Sequence, residues 1–279
     1  MNENISLIDR IAETIGSNDF KLPVFSDIAV KVRNIMNSED FEIQDIVRLI
    51  SSDQSLASEV LRVANSPFYG GLTKVTNLKD AAVRMGAKQL ADLVMMASER
   101  NNYKASDQEV QQLLGKLWRH AVGTALASQW LARKLGYTDH LNEALLSGLI
   151  HDIGKLAVLK VVDQLKVKEG LHFPLEFVLE VVGSAHTQEG FRLAQKWRLP
   201  DNYCTIIRDH HLEEVDQSNC VLLIVKIADA ACVKLGIGLR QDASIELAVL
   251  PEAHSLGIGE VVLAELEIML EDTMQTVAG

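Results

Sequence analysis

Seven side chains in this 279-residue chain have the types and order that could hold a metal ion: His120, His151, Asp152, His186, His210, His211 and Asp229. Imidazole nitrogen combined with carboxylate oxygen suits iron, manganese, zinc or nickel, whereas calcium and magnesium prefer shells made of oxygen. A divalent ion held this way lowers the pKa of the water it carries towards neutrality, which makes hydroxide available for hydrolysis. Two ions bridged by Asp152 could clamp both the attacking and the leaving oxygen at phosphorus. Lys155, one turn beyond His151, would then stand where a phosphate oxygen needs a cation. A plain solvated helix lysine is the other reading of that residue.

A single histidine on a helix is more often a surface residue or a hydrogen-bonded core residue than a ligand. The surroundings of two positions argue for more. His151-Asp152 follows the apolar run Ala144-Leu145-Leu146-Ser147-Gly148-Leu149-Ile150. Ionisable groups in such a run carry a heavy desolvation cost unless they are paired or bound to a cation. If one helix runs from about 142 to 161, neighbouring side chains point only about 100° apart and can converge on one ion. Asp229 lies in the stretch 221–231, which is otherwise apolar except for Lys226. Its partner is either a cation in the site or Lys226 itself, three residues earlier, in an ordinary i,i+3 pair.

The segments that must position these residues read as helices. Apolar residues recur at helical spacing: Ile28, Val32 and Ile35 after Leu22-Pro23, then Ile43, Ile46, Val47 and Ile50, then Leu56, Val60, Leu61 and Ala64. Asn37-Ser38 closes the first of these, and acidic Glu39, Asp40 and Glu42 near the start of the second suit the helix dipole. Asp53 can cap the third helix, and Asn65-Ser66-Pro67 must stop it, since proline cannot continue the ladder. Phe68-Tyr69-Gly70-Gly71 reads as a turn, and 77–96 as two helical stretches broken at Gly86. The polar, aperiodic stretch 101–108 is the expected boundary, dividing an N-terminal helical part (1–104) from the part that carries the candidate ligands (105–279). Beyond it come a helix through Trp118 to Leu135 ended by Gly136, and helix starts near Pro174, near Ser184 and after Leu199-Pro200-Asp201. Final helices run from about Asn219 to Leu235 and from Gly259 to Thr273. No alternating strand pattern occurs, so the expected class is all-α.

Composition agrees. Aromatics are only 5% against 48% apolar residues, with 5 prolines, which favours long helices over a sheet sandwich. The net charge of -11 gives no global attraction to a phosphate backbone or an anionic membrane, so neither nucleic acid nor membrane is an expected partner. Cys204, Cys220 and Cys232 show no CxxC spacing and fit a reduced cytosolic state. Met1-Asn2-Glu3-Asn4 lacks the layout of a signal peptide and no apolar run reaches the ~20 residues of a membrane span, so a cytoplasmic protein is expected.

His120, then His151-Asp152-Ile153-Gly154-Lys155, then Asp229 resembles the H…HD…D signature of the HD superfamily of metal-dependent phosphohydrolases. The stretch from Glu180 through His186, Gly190, Trp197, Leu199-Pro200 and His210-His211 is similar to the HDOD (HD-related output domain) branch and is shared with HD-GYP phosphodiesterases. Leu22-Pro23, the helix leading into Asn65-Ser66-Pro67-Phe68-Tyr69-Gly70, and Ala81…Arg84-Met85-Gly86 also resemble HDOD proteins, so the likeness spans about residues 20 to 275. It implies an HD-domain-like helical bundle with an N-terminal helical subdomain. It further implies that His120, His151, Asp152 and Asp229 bind one metal, and that His186, His210 and His211 complete a second site. One departure stands out: Leu212-Glu213-Glu214-Val215-Asp216 follows the double histidine where HD-GYP enzymes carry Gly-Tyr-Pro. Hydrolysis of cyclic di-GMP is therefore not expected.

These readings imply a signal-transduction protein of HDOD type with an intact metal site. It would be a phosphohydrolase acting on a nucleotide or phosphoester, with Asp152 and Lys155 as the catalytic residues and one or two transition-metal ions (Fe, Mn, Zn or Ni) as cofactor. The alternative is a non-catalytic output module that binds a signalling protein partner. Trp118, beside His120, is expected in the core.

Overall fold

Short polar side chains set where the helices begin. In the computed structural model, the side chains of Ser6, Asp53, Asn77, Asp107 and Asn219 each accept a backbone N–H from the first turn of the helix that follows, satisfying donors that have no partner inside the helix. The structure describes residues 6–17, 19–20, 27–36, 38, 40–70 and 73–277. Leu22-Pro23, Asn37, Glu39 and Gly71, used in the sequence reading, lie outside the described residues.

In chain order the helices are α1 (Leu7–Gly16), α2 (Asp27–Met36), α3 (Ile43–Ser51), α4 (Gln54–Ala64), α5 (Leu78–Ser98), α6 (Gln108–Lys134), α7 (Leu141–Ile150), α8 (Ile153–Glu169), α9 (Leu175–Lys196), α10 (Asp201–Asp209), α11 (Cys220–Lys234), α12 (Pro251–Ser255) and α13 (Glu260–Val277). Short 3-10 turns lie at Pro67–Tyr69, Glu99–Tyr103, Thr138–His140 and Leu247–Val249. The fold is all-α, with no strand among the described residues. None of the described helices is long and apolar enough to cross a membrane.

The chain divides into two units, one of Met1–Leu22 with Tyr103–Leu263, the other of Pro23–Asn102 with Ala264–Gly279. In the first, α6 packs on α7, α11 and α8, α8 packs on α9, and α9 on α10. The core there is made by residues such as Leu114, Leu126, Leu156, Val161 and Leu223, all essentially inaccessible to solvent. α1 joins this unit from far away in sequence by lying on α8 and α9. Its Ile11 and Ile15 are buried, Arg10 pairs with Glu169 at 2.7 Å, and Lys196 donates to the Ser17 carbonyl.

In the second unit α2, α3 and α4 pack on α5. The Asn65 amide brackets Val75, donating to its carbonyl (2.9 Å) and accepting its N–H (2.8 Å), so the chain past Pro67 is tied to the end of α4. α5 is broken at Gly86, whose φ of 75° only glycine adopts without strain. Glu59, nearly inaccessible, is neutralised by Arg62 and Arg100.

Two helix limits differ from the sequence expectation. The apolar stretch 142–161 is two helices, because α7 ends at Ile150 and α8 starts at Ile153. No helix starts near Ser184, since α9 runs through it from Leu175 to Lys196. α6, the helix through Trp118, runs from Gln108, capped by Asp107, to Lys134. Trp118 itself is buried in a tilted contact with Tyr103, 5.1 Å between ring centres, and takes the core role expected of it.

Candidate metal centre

The break between α7 and α8 places the central pair. His151 closes α7 in helical geometry and gives its N–H to the Ser147 carbonyl at 2.9 Å, while Asp152, at φ -100° and ψ 20°, turns the chain into α8. The two side chains therefore belong to two helix ends, and not to one continuous helix. Two glycines let the neighbouring helices close on this corner. A Cβ on Gly148 would lie 2.6 Å from the Thr124 carbonyl oxygen of α6, and one on Gly154 would lie 1.8 Å from the His186 carbonyl oxygen of α9. Backbone meets backbone at both crossings.

All the predicted ligands except His211 are buried, and they converge. His120 of α6 places Nε2 3.1 Å from Asp229 Oδ1 of α11, 3.3 Å from Asp152 Oδ2 and 3.3 Å from His151 Nε2. His151 Nε2 is 3.4 Å from Asp152 Oδ2 and 3.8 Å from Asp229 Oδ1. On the other side, Asp152 Oδ1 lies 3.5 Å from His186 Nε2 of α9 and 3.4 Å from His210 Nε2 at the end of α10. Two donor groups result, each with its ligand atoms within 4.8 Å of one another: His120, His151 and Asp229, and Asp152, His186, His210 and His211. Asp152 belongs to the second by Oδ1 and reaches the first by Oδ2. His211 is exposed at the edge, its ring tilted against that of His210 with 4.1 Å between ring centres.

The backbone fixes which nitrogen faces inward. Nδ1–H of His151 donates to the Gly148 carbonyl (2.8 Å), that of His186 to Gly183 (2.9 Å), that of His210 to Ile207 (3.0 Å) and that of His120 to Ile237 (2.9 Å). With Nδ1 protonated, the neutral rings of His151, His186 and His210 turn a bare Nε2 lone pair into the site, the tautomer a metal ligand needs, while His120 Nε2 faces the Asp152 and Asp229 carboxylates. The tautomers are inferred from these partners. His186 Nε2, His210 Nε2 and Asp152 Oδ1 are then three buried acceptors that face one another with no donor between them. Burial, reinforced by Lys155 and His210, pushes the His186 imidazole down to about 4 against the pull of Asp152, so a proton does not relieve the conflict near neutral pH. On the His120 side, burial disfavours charge, but Asp152 and Asp229 outweigh it and raise the imidazole to about 9. Burial would lift both carboxyls, yet Lys155 and His151 hold Asp152, and His120 and His151 hold Asp229, well below the carboxylate range.

The Lys226 reading of Asp229 fails. Lys226 Nζ pairs with Glu252 at 2.9 Å and donates to the Leu212 carbonyl. Lys155 is not a solvated lysine either: its side chain is 18% exposed and its ammonium sits 2.6 Å from Asp152 Oδ2.

The HDOD domain profile matches residues 22–213, more than half of the chain. The chain belongs to the HDOD family. The match includes His120, His151, Asp152, His186, His210 and His211, whereas Asp229 lies beyond its end. An uncharacterised protein of Treponema pallidum (strain Nichols) is 25% identical over 210 residues, which are 72% of this chain and 40% of that protein; the HDOD chain thus spans well under half the length of that curated relative. A crystallised HDOD domain protein of unknown function from Geobacter sulfurreducens superposes with a TM-score of 0.70 at 23% identity, covering 96% of both chains. A protein of Shewanella amazonensis SB2B, provisionally named a metal-dependent phosphohydrolase, gives 0.73 at 16% identity, over 97% of this chain and 96% of that one. Likeness at these identities establishes the fold.

This HDOD chain also uses groups that residue types alone do not mark. The Ile237 carbonyl orients His120, and Gly238 lies so close that an added Cβ would sit 3.1 Å from His120 Nδ1. Neither has a side-chain signal. The ligands open on a cavity of about 340 Å³ whose wall includes Lys155, Leu179, Val182 and Arg240. Arg240 was a cation the sequence did offer, far from any motif.

Proposed function

We infer that this HDOD protein binds a divalent transition metal and hydrolyses a phosphoester or nucleotide at that centre, as part of a signalling role. His120, His151, Asp152 and Asp229 would hold one ion, with His186, His210 and His211 completing a second position across Asp152. The observation that carries this reading is the set of buried acceptors, His186 Nε2, His210 Nε2 and Asp152 Oδ1, gathered without a donor. Such a group costs several kcal/mol unless a cation joins it. The chemistry of the donors, imidazole with carboxylate, suits iron, manganese, zinc or nickel. When bound, such an ion supplies Lewis acidity towards a phosphoryl oxygen and a water of lowered pKa.

The chain's own residues have separate tasks in this reading. Asp152 keeps both oxygens ionised between the two donor groups. Lys155 holds the Asp152 carboxylate and offers the nearest cavity-lining ammonium to a phosphate oxygen. Leu179 and Val182 form an apolar wall that limits water around the reacting phosphorus. The sequence after His210-His211, Leu212 to Asp216, in place of Gly-Tyr-Pro, favours a substrate other than cyclic di-GMP.

Metal content of anaerobically purified protein, measured by plasma mass spectrometry beside an Asp152→Ala control, is the test. One or two equivalents of a transition metal in the native protein, lost in the control, is the expected result, followed by metal-dependent release of phosphate or alcohol in a phosphoester screen. No metal after reconstitution with iron, manganese or zinc would end the hydrolase reading.

A further inference from the structure

We propose that the loop 236–241 and the turn of α6 before His120 form a subsite for a second phosphate. The ligand taken at the centre would then carry at least two phosphates, as in a nucleoside di- or triphosphate. This rests on the metal-dependent reading above and narrows its substrate class.

The cavity that holds the candidate ligands shares Gly238, Leu239 and Arg240 with an adjoining cavity of about 260 Å³, whose wall adds Lys116, Arg119 and Gln241. That second cavity is lined by three cations and no carboxylate. Among the described residues Lys116 and Arg119 make no ion pair, and Arg240 makes one long hydrogen bond, 3.3 Å to the Leu179 carbonyl. In a chain of net charge -11, three such cations on one wall without a carboxylate among its described lining create a local positive potential.

Geometry ties this wall to the centre. Lys116 lies four residues before His120 on α6, hence on the same face and about 6 Å along the axis. The loop that carries Arg240 also supplies the Ile237 carbonyl that orients His120. A phosphate chain with one end among the metal ligands and Lys155 would therefore run towards Lys116, Arg119 and Arg240. A monoester with a single phosphate would leave these cations unused. Guanidinium groups suit this task through bidentate bonds to phosphate oxygens.

The test is calorimetric titration of the purified full chain with inorganic tripolyphosphate, a nucleoside triphosphate and a nucleoside monophosphate at physiological ionic strength. Wild type is compared with Lys116→Gln/Arg119→Gln and with Arg240→Gln, and metal content is measured on the same samples before and after titration. The substituted side chains are exposed, so folding should survive. Expected are at least tenfold weaker binding of tripolyphosphate and triphosphate in the double variant, a smaller loss in Arg240→Gln, little change for the monophosphate, and unchanged metal content. Equal affinity of wild type and double variant, or wild-type affinity no greater for tripolyphosphate than for the monophosphate, would overturn the subsite. Metal-free protein that still binds tripolyphosphate through these three cations would uphold the subsite while removing the hydrolase reading.

Discussion

Replacing Gly154 by alanine tests whether the centre depends on backbone contact between α8 and α9. A Cβ at this position would sit 1.8 Å from the His186 carbonyl oxygen, 2.7 Å from its carbonyl carbon and 2.8 Å from the Gly190 nitrogen. No flexible side chain is available to move aside, so two helix backbones must separate by more than an ångström to restore an ordinary contact. Overpacking in a close-packed core costs roughly 1–3 kcal/mol and more where backbone must shift, so we expect a loss of about 3 kcal/mol or more, a large part of a typical domain stability. The displaced surfaces carry Asp152, two residues before Gly154, and His186 itself, so bound metal should fall with stability. Urea unfolding measures the first and metal analysis the second. Gly115→Ala in α6 is the matched control: nothing lies within 4 Å of its added Cβ, and alanine there should stabilise by about 0.5–1 kcal/mol. A Gly154→Ala protein within 1 kcal/mol of wild type and fully loaded with metal would refute the argument.

Asp229→Ala should lower metal stoichiometry as much as His151→Ala, measured by plasma mass spectrometry; unchanged stoichiometry would remove Asp229 from the ligand set. Lys155→Ala should retain the metal while weakening phosphoester binding or turnover at least tenfold, and loss of the metal instead would assign Lys155 to holding Asp152 in place. Asp107→Ala should cost about 1–2 kcal/mol in urea unfolding at pH 7, as it removes the cap on α6 and an ion pair with Lys166 at 2.8 Å. The hydrogen bond from Lys166 lowers the Asp107 carboxyl below its ordinary 3.8, so its contribution is complete above that value. The gap between wild type and variant should therefore narrow as pH falls below 3.8 through the folded-state value, and a gap independent of pH would show that the charge is not involved.

The helices were legible in the sequence where a side chain does the stopping or starting. Asp53, Asn77 and Asn219 cap the helices after them, Pro67 ends α4, and Gly86 breaks α5. The ligand types were legible too, because polar groups inside apolar runs are costly and need a reason. What the sequence concealed was settled by tertiary contact. No proline or polar cluster marks the end of α7, so 142–161 reads as one helix, although the chain turns at His151-Asp152. Gly183-Ser184 looks like a break, yet α9 passes through it; an added Cβ on Gly183 would lie 2.8 Å from the Arg240 guanidinium, so the small residue there leaves room for a side chain from a distant loop. The partner of Lys226, Glu252, lies 26 positions further on in α12, outside any local pairing rule.

Three of the four inward-facing imidazoles are aimed by their own helices. His151 and His210 stand at the C-terminal ends of α7 and α10, where carbonyls lack intrahelical partners, and their Nδ1–H groups take up those of Gly148 and Ile207. His186 does the same within α9 through Gly183. A ring bonded to a carbonyl one turn back needs only the helix to be correctly oriented, so the spacing of these residues in sequence carries most of their geometry. His120 differs, since its Nδ1 partner is Ile237, 117 residues away in the loop that also presents Arg240. The orientation of one ligand is thereby coupled to the segment that lines the cationic wall. Anything that moves this loop, a bound phosphate chain included, acts on His120 directly and on the other three rings only through the helices that carry them.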